Sequence, residues 1–272
     1  MTEAIRPPRA GDDKYTRGVV GLRTGSDAYP GAAVLGVEAA WRTGIGMVRY
    51  VGPDRPSRLV LQRRPETVLG EGRVQAWVIG SGTDASARTA AETGALRAIL
   101  SGSAPVVVDA GALDLAAGAT APVLVTPHAR EHDALRERLG LSAVPPAADD
   151  DARAQAAAET ARALGGAVLL KGSVTIVAAP SGRTERIGPA TPWLATAGTG
   201  DVLGGVLGAI VAAAAVDGPL DAEDLVALAA AGAALHAQAA RLASEALGGG
   251  GGPITALDVA HALPRAVARQ LG

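Results

Sequence analysis

The alternation of short apolar runs with longer helical patterns constrains the fold of this chain more than any other feature. Runs of strand length rich in β-branched residues lie at 19–22, 47–51, 76–79, 106–108, 123–125, 168–170 and 174–178. Helical patterns lie at 32–42, 85–100, 131–139 and 151–164, and almost everything from 202 onward is helical. Since strands that alternate with helices form βαβ units, we expect an α/β fold with a mostly parallel sheet covered on both faces.

The 272 residues are enough for one large core, and the alternation shows no break, so we expect a single domain over 14–272. Residues 1–13 lack the basic start and apolar stretch of a secretory signal, and their prolines and charges predict a flexible tail. The apolar run at 202–216 is short for a bilayer span and rich in Gly and Ala, which favours a core helix.

Charge and cysteine content exclude several classes of function. The net charge of −2 and pI near 6.1 give no field that would recruit nucleic acid or an anionic membrane. We therefore expect a small-molecule substrate and no nucleic-acid or membrane partner. Cysteine is absent, which excludes disulfides, zinc-thiolate sites and a cysteine nucleophile, and a cytoplasmic location is expected.

Polar residues follow several of the apolar runs, where a parallel sheet binds its ligands. Gly82, Asp109, His128 and Lys171 all occupy such positions. Each residue by itself also fits a turn, a helix cap or a surface position. Because the carboxyl ends of parallel strands share one edge, the four together favour a site.

The segment Ala-Thr-Ala-Gly-Thr-Gly-Asp at 195–201 leads directly into an apolar helix pattern. Glycines at a helix N-terminus let a phosphate approach the unpaired backbone N–H groups. Asp201 would repel that phosphate unless it served another task, such as general base for an attacking hydroxyl. Helix capping by Asp201 is the alternative, and the local sequence leaves both open.

Taken in order, these segments resemble the ADP- or ATP-dependent NAD(P)H-hydrate dehydratases. The resemblance is carried by Tyr29-Pro30-Gly31-Ala32-Ala33, Arg42-Thr43-Gly44-Ile45-Gly46, Val108-Asp109-Ala110, Thr126-Pro127-His128 with Glu131, Leu170-Lys171-Gly172 and the segment 195–201. It implies a ribokinase-like, three-layer α/β/α fold around a central, mostly parallel sheet. It also implies a lyase for metabolite repair: the nucleotide phosphorylates the ring hydroxyl of the S epimer of hydrated NADH or NADPH, and phosphate then leaves.

The resemblance also implies roles for individual residues. Asp201 corresponds to the catalytic base, and the anion hole corresponds to Gly198, Thr199 and Gly200. The nucleotide-binding positions are Lys171, Gly172, Ser173, Val174, Thr175 and Gly200. The positions that contact hydrated dinucleotide are Ala32, Ala33, Gly82, His128 and Asp201. Asp109 and Glu131 are the candidates to hold a metal ion indirectly.

The same resemblance implies Mg²⁺ as cofactor, ADP or ATP as phosphoryl donor, a homotetramer and cooperation with a separate NAD(P)H-hydrate epimerase. Two other functions stay open. One is a ribokinase-like small-molecule kinase, such as a vitamin-precursor kinase, that releases a stable phosphate ester. The other is a catalytically silent nucleotide-binding scaffold, although a scaffold needs no carboxylate such as Asp201 beside a phosphate cradle.

Overall fold

The computed structural model describes residues 4–272 of the chain. Within them, nine strands form one sheet: β1 Val19–Arg23, β2 Met47–Tyr50, β3 Val68–Leu69, β4 Ala76–Ile79, β5 Val106–Val108, β6 Val123–Val125, β7 Ala167–Leu170, β8 Thr175–Ala178 and β9 Thr184–Ile187. The α-helices of the same residues are α1 Pro30–Thr43, α2 Asp54–Arg63, α3 Ala90–Leu100, α4 Ala129–Arg138, α5 Asp150–Leu164, α6 Thr199–Ala214, α7 Ala222–Glu245 and α8 Ala256–Leu271.

The strand order in the sheet is β3-β2-β1-β4-β5-β6-β7-β8-β9. Every neighbouring pair from β3 to β7 is parallel, whereas β8 runs antiparallel to both of its neighbours, β7 and β9. One core cluster buries residues of α1, α6, α7 and α8 on one side of the sheet, and a second buries residues of α3, α4 and α5 on the other. The predicted three-layer α/β/α architecture is therefore confirmed.

The order of the strands reverses at one place in the sheet. The chain moves outward from β1 to β2 and β3, then returns to place β4 on the opposite side of β1. In doubly wound sheets such a reversal opens a crevice beyond the carboxyl ends of the two strands, where ligands bind. Here the crevice lies between the segments that follow β1 and β4.

Helix α6 packs unusually close to its neighbours. Every residue from Val202 to Ala212 is buried. A Cβ added at Gly205 would lie 2.9 Å from Ala39 Cβ, and one added at Gly208 would lie 3.1 Å from Val20 Cγ2. The glycines therefore let α6 approach α1 and the sheet, which brings the N-terminus of α6 to the edge where the strands end.

Helix α7 is long and apolar enough to cross a membrane by length and composition alone, with a mean hydropathy of 1.3 over an 18-residue window. In the fold, 72% of that window is buried. Its residues belong to the same core cluster as those of α6 and α8. This is the burial expected of a core helix, although the sequence pattern had singled out the shorter run in α6.

Several elements differ from the predicted pattern. Strand β3 has only two residues, both exposed, and three of the four residues of β9 are polar, so neither shows an apolar run. The predicted helix at 85–100 is two elements, a 3-10 turn at Ala85–Ala87 and α3, because Thr89 caps α3 by accepting from the Glu92 backbone N–H. Helix α2 and the 3-10 segment Ala110–Gly118 were not predicted, since α2 has few buried residues and 3-10 periodicity is not 3.6.

The N-terminal segment makes specific contacts with the domain. Ile5 is 7% exposed and belongs to the core cluster. Arg6 Nη1 donates to the Thr16 carbonyl over 3.1 Å and lies 3.8 Å from Asp217 Oδ1. Of the tail predicted over 1–13, Ile5 and Arg6 therefore contact the folded body, residues 7–11 are exposed, and residues 1–3 lie outside the described part.

Candidate active site

The carboxyl ends of the parallel strands bring together side chains far apart in the sequence. Ser81, Asp109, Thr126 and Lys171 follow β4, β5, β6 and β7. Ser81 Oγ donates to Asp109 Oδ2 over 3.0 Å, and Thr126 Oγ1 donates to Asp109 Oδ1 over 2.8 Å. Lys171 Nζ donates to the same Oδ1 over 2.8 Å. The expected meeting of Asp109 and Lys171 at one sheet edge is confirmed.

Both oxygens of the Asp109 carboxylate are engaged by protein donors, three in all. The residue is 4% exposed, and both of its oxygens accept hydrogen bonds. A metal ion at Asp109 would have to replace one of these bonds or bind through water. Across residues 4–272, no group of three or more His, Cys, Asp or Glu side chains could hold a metal ion. Indirect metal binding by Asp109 and Glu131 stays a prediction.

The ammonium group of Lys171 lies between two carboxylates and the glycine turn. Its Nζ is 3.8 Å from Glu131 Oε2, as well as in contact with Asp109. A Cβ added at Gly200 would lie 3.8 Å from the same Nζ. Burial lowers the pKa of Lys171, but the charges of Asp109, Glu131 and Asp201 outweigh it, and the net effect raises the pKa. Lys171 is therefore a cation at neutral pH.

The glycine turn forms an uncapped helix N-terminus. Gly198 is the N-cap of α6 with φ +89°, a left-handed conformation that favours glycine, and no side chain caps the helix there. Thr199 Oγ1 donates back to the carbonyls of Leu194 and Thr196 over 3.0 and 2.9 Å. The N–H groups of the first turn thus keep no side-chain acceptor, which is the arrangement that binds anions.

Asp201 is the third residue of α6 and does not cap it. The N-cap position belongs to Gly198, so the alternative that Asp201 is a capping residue is wrong. Burial first, and then the charge of Asp109, raise the pKa of Asp201 to about 6, while the charge of Lys171 opposes them. A carboxylate with a pKa this close to neutral can take and return a proton at physiological pH.

Three of the residues predicted to contact the dinucleotide, Ala32, Ala33 and Gly82, meet at the strand-order reversal. Gly82 has φ +65°, and a Cβ added there would clash with Ala32 Cβ and lie 3.1 Å from the Tyr29 carbonyl. Ala33 is fully buried against Gly25, and Ala32 is almost as buried, with 7% of its surface exposed. The structure brings Ala32 and Gly82 together, and their contact with a substrate stays a prediction.

His128 has a structural task of its own. Its Nδ1 accepts from the Glu131 backbone N–H over 3.3 Å, and its own N–H donates to Glu131 Oε2 over 2.8 Å. This reciprocal pair is a capping box at the start of α4. The imidazole remains half exposed, so the cap leaves it open to a ligand.

An arginine that the sequence pattern did not single out supports the segment 171–175. The Nη1 and Nη2 atoms of Arg153 on α5 both lie 3.3 Å from the Val174 carbonyl, and Nη1 donates to Asp150 Oδ1 over 2.6 Å. Gly172 leaves the space that this guanidinium occupies. No periodicity in the sequence marks Arg153, because the contact depends on how α5 packs beside β8.

A cavity of about 710 Å³ opens beside the turn. Its lining includes Gly188, Trp193, Arg241 and the glycine segment 249–251. Trp193 belongs to the 3-10 segment Pro192–Leu194, whose last carbonyl accepts from Thr199 Oγ1. The glycine-rich loop to which the sequence assigned no function therefore lines a cleft next to the anion-binding turn.

Sequence comparison relates the chain to repair enzymes. The family described as NAD(P)H-hydrate dehydratase matches residues 20–264. The bifunctional NAD(P)H-hydrate repair enzyme Nnr of Mycobacterium tuberculosis is 40% identical over 217 residues, which cover 75% of this chain and 43% of that protein. The ADP-dependent (S)-NAD(P)H-hydrate dehydratase of Neisseria meningitidis is 32% identical over 86% of this chain and 80% of its own. The chain thus spans less than half the length of the bifunctional relatives.

Comparison with solved structures also shows similarity to an NAD(P)H-hydrate dehydratase. The ADP/ATP-dependent NAD(P)H-hydrate dehydratase of Bacillus subtilis, co-crystallised with ATP and Mg²⁺, has a TM-score of 0.79 and 29% identity, covering 99% of this chain and 96% of its own. A ribokinase from Cryptococcus neoformans, at a TM-score of 0.52 and 12% identity over 91% of this chain and 98% of its own, shares the fold alone. Since the family match extends over most of the chain, this protein belongs to the NAD(P)H-hydrate dehydratase family.

Proposed function

We propose that this protein dehydrates the S epimer of hydrated NADH or NADPH, using ADP or ATP to phosphorylate the ring hydroxyl before phosphate leaves. The observation that carries the chemistry is the partly buried carboxylate of Asp201, whose pKa is raised, at the mouth of an uncapped, anion-binding helix terminus. Family membership supplies the substrate class.

In the first step, Asp201 takes the proton of the ring hydroxyl as its oxygen attacks the terminal phosphorus of the nucleotide. The bond to the leaving nucleotide oxygen breaks, and the phosphoryl group passes to the ring. Backbone N–H groups at Gly198, Thr199 and Gly200, together with the Lys171 ammonium, offset the charge on the transferring group.

In the second step, phosphate leaves with the electron pair of the ring carbon–oxygen bond. A proton is lost from the neighbouring ring carbon, which restores the double bond. The sum of the two steps is loss of water from the hydrated ring, coupled to hydrolysis of one phosphoanhydride bond. Positioning by the turn contributes by keeping the reacting oxygens in line.

Magnesium fits this site as an ion held mainly by the nucleotide. Asp109 has no free oxygen, whereas Glu131 uses only Oε2 in the capping box with His128. Glu131 would therefore hold Mg²⁺ through water while the phosphates supply most of the ligands. The ion would offset negative charge on the phosphates.

The cavity beside the turn supports binding of a nucleotide in an extended pose. Phosphates at Gly198 to Gly200 leave the rest of the nucleotide to continue toward the Lys171 to Thr175 segment or toward the cleft at Trp193. Ala32, Gly82 and His128 are the positions that we propose for the dinucleotide. We further propose a cytoplasmic homotetramer that cooperates with an NAD(P)H-hydrate epimerase.

The test is to incubate the protein with S-hydrated NADH, Mg²⁺ and either ADP or ATP. Return of dihydronicotinamide absorbance together with stoichiometric release of phosphate is expected. A small-molecule kinase would instead leave a stable phosphate ester on a vitamin-type alcohol. A silent scaffold would bind nucleotide without turning over either substrate.

A further inference from the structure

Asp109 and Lys171 pair inside the site, and nothing in the proposed reaction requires the Asp109 carboxylate to touch a reactant. Lys171 has a flexible four-carbon side chain and 21% of that side chain is exposed, whereas Asp109 is almost completely buried. Asp109 itself is held by two buried hydroxyls, those of Ser81 and Thr126, each residue being 2% exposed. The rigid member of the pair is therefore Asp109.

We propose that Asp109 is a positioning residue: held by Ser81 and Thr126, it fixes the Lys171 ammonium at the anion-binding turn before the nucleotide arrives. The distances support this, since Nζ is 2.8 Å from Asp109 Oδ1 and would be 3.8 Å from a Cβ at Gly200. Ordering a lysine in advance removes an entropic cost from phosphate binding. The contribution of this positioning to catalysis rests on the proposed function, but the positioning itself can be measured through nucleotide binding, without turnover.

The charges around Asp201 give a second readout of the same arrangement. The ionisable groups that act on Asp201 are Asp109, whose charge raises its pKa after burial, and Lys171, whose charge lowers it. Glu131 acts on Lys171 from α4. Removing the Asp109 charge should therefore lower the pKa of Asp201, and removing the Lys171 charge should raise it.

The experiment measures Mg-ADP affinity by calorimetry and the pKa of Asp201 by carboxyl ¹³C NMR in Asp109→Asn, with Lys171→Gln as the paired variant. If Asp109 acted only through its charge, its neutralisation would tighten ADP binding, because a negative charge beside the phosphates is removed. Positioning predicts the opposite sign, a loss of about 5- to 30-fold in ADP affinity. Unchanged or tighter ADP binding in Asp109→Asn overturns the proposal, as does an Asp201 pKa that fails to rise in Lys171→Gln.

Should Asp109→Asn fail to fold, Ser81→Ala and Thr126→Val loosen Asp109 while keeping every charge. Each should weaken ADP binding by about 2- to 5-fold, measured at a temperature at which the variant is fully folded. Wild-type affinity in both variants overturns the proposal. If the variants lose ADP affinity as predicted but the wild type does not turn over hydrated NADH, the proposed function is refuted and the positioning role remains. The two failures are therefore distinguishable.

Discussion

Two carboxylates in this protein, Glu38 and the partly buried Asp201, have opposite environments. Glu38 on α1 is fully buried, and its oxygens accept from Arg42, Arg63 and Arg64, with His261 Nε2 at 3.7 Å. Burial alone would raise its pKa, but the arginines lower it to about 2. Asp201 has no such partners, and its pKa is raised to about 6.

The difference separates a carboxylate that stabilises the fold from one that can do chemistry. Glu38 joins α1, α2 and α8 at a distance from the turn, and its ionised form is fully compensated. The ionised form of Asp201 is undercompensated, so a proton moves on and off it near neutral pH. Removal from water raises the pKa of both carboxylates, and the number of hydrogen-bond donors around each decides whether its pKa ends above or below the ordinary value.

The sharpest way to break this comparison is Asp201→Asn, which keeps the shape and removes the base. Turnover should fall by roughly 10²- to 10⁴-fold, with nucleotide affinity unchanged or tighter. The folded-state pKa lies above the ordinary value, so ionisation near neutral pH costs stability, and the substitution should raise the free energy of unfolding by on the order of 2 kcal/mol. Steady-state kinetics and thermal melts check both.

The control is Asp54→Asn, a surface carboxylate paired only with Arg58, which should behave as the wild type. Near-normal turnover in Asp201→Asn would remove Asp201 from the catalytic machinery. Lower stability in that variant would show that its carboxylate is compensated after all.

Glu38→Gln should have the inverse profile. The change leaves three guanidinium groups around a neutral amide, and breaking a buried ion pair costs about 3–5 kcal/mol of unfolding free energy. Under conditions where the variant is folded, kcat should match that of the wild type. Denaturant unfolding and kinetics measure the two effects.

Glu66→Gln is the matched control, because Glu66 forms only an exposed pair with Arg64. It should change stability by less than about 0.5 kcal/mol. A kcat loss in folded Glu38→Gln comparable to that in Asp201→Asn would erase the distinction between the two carboxylates.

The two carboxylates should also titrate in separate pH windows. The proposed role of Asp201 as base requires it to be ionised, so kcat/KM should fall about tenfold per pH unit below a pKa of about 6. Glu38 has a lowered folded-state pKa, so its stabilisation is present above 4.5 and is lost as pH falls from there toward about 2. Activity profiles recorded beside thermal melts resolve the windows, and activity that declines only with unfolding would contradict the assignment to Asp201.

The smallest expected effect concerns Arg153, which supports the predicted nucleotide-binding segment through the Val174 carbonyl. Arg153→Ala should raise the nucleotide KM by roughly 3- to 10-fold with little change in kcat, because the lost support affects ground and transition states alike. Arg186→Ala is the control, since Arg186 of β9 forms an exposed pair with Asp151, which lies on α5 as Arg153 does. An equal rise of the nucleotide KM in both variants would show that any loss of a contact to α5 weakens nucleotide binding, and that the support of Val174 has no special part in it.

Much of the fold was predictable because period and length identify most elements. The strands at 76–79, 106–108 and 123–125 have the predicted bounds, since each is a continuous apolar run between turn residues. The edge strands β3 and β9 escaped prediction because an edge strand buries little and needs no apolar run. The split of 85–100 depended on a Thr89 cap that helical periodicity does not show.

The sequence by itself determined the chemistry within reach of this protein. The informative patterns are local: glycines before an apolar helix, an aspartate on its first turn and a lysine after a buried strand. Local patterns of this kind can be recognised in the sequence without the fold. The positions of Gly198, Asp201 and Lys171 were all identified in this way.

Only the tertiary structure decided how those groups act on one another. The donors to Asp109, the pKa of Asp201 and the support of Val174 by Arg153 each join residues from different strands and helices. Electrostatic and hydrogen-bond energies depend on distance and burial, which strand order and helix packing set. Sequence spacing carries no measure of either, so the capping alternative for Asp201 could be excluded only in three dimensions.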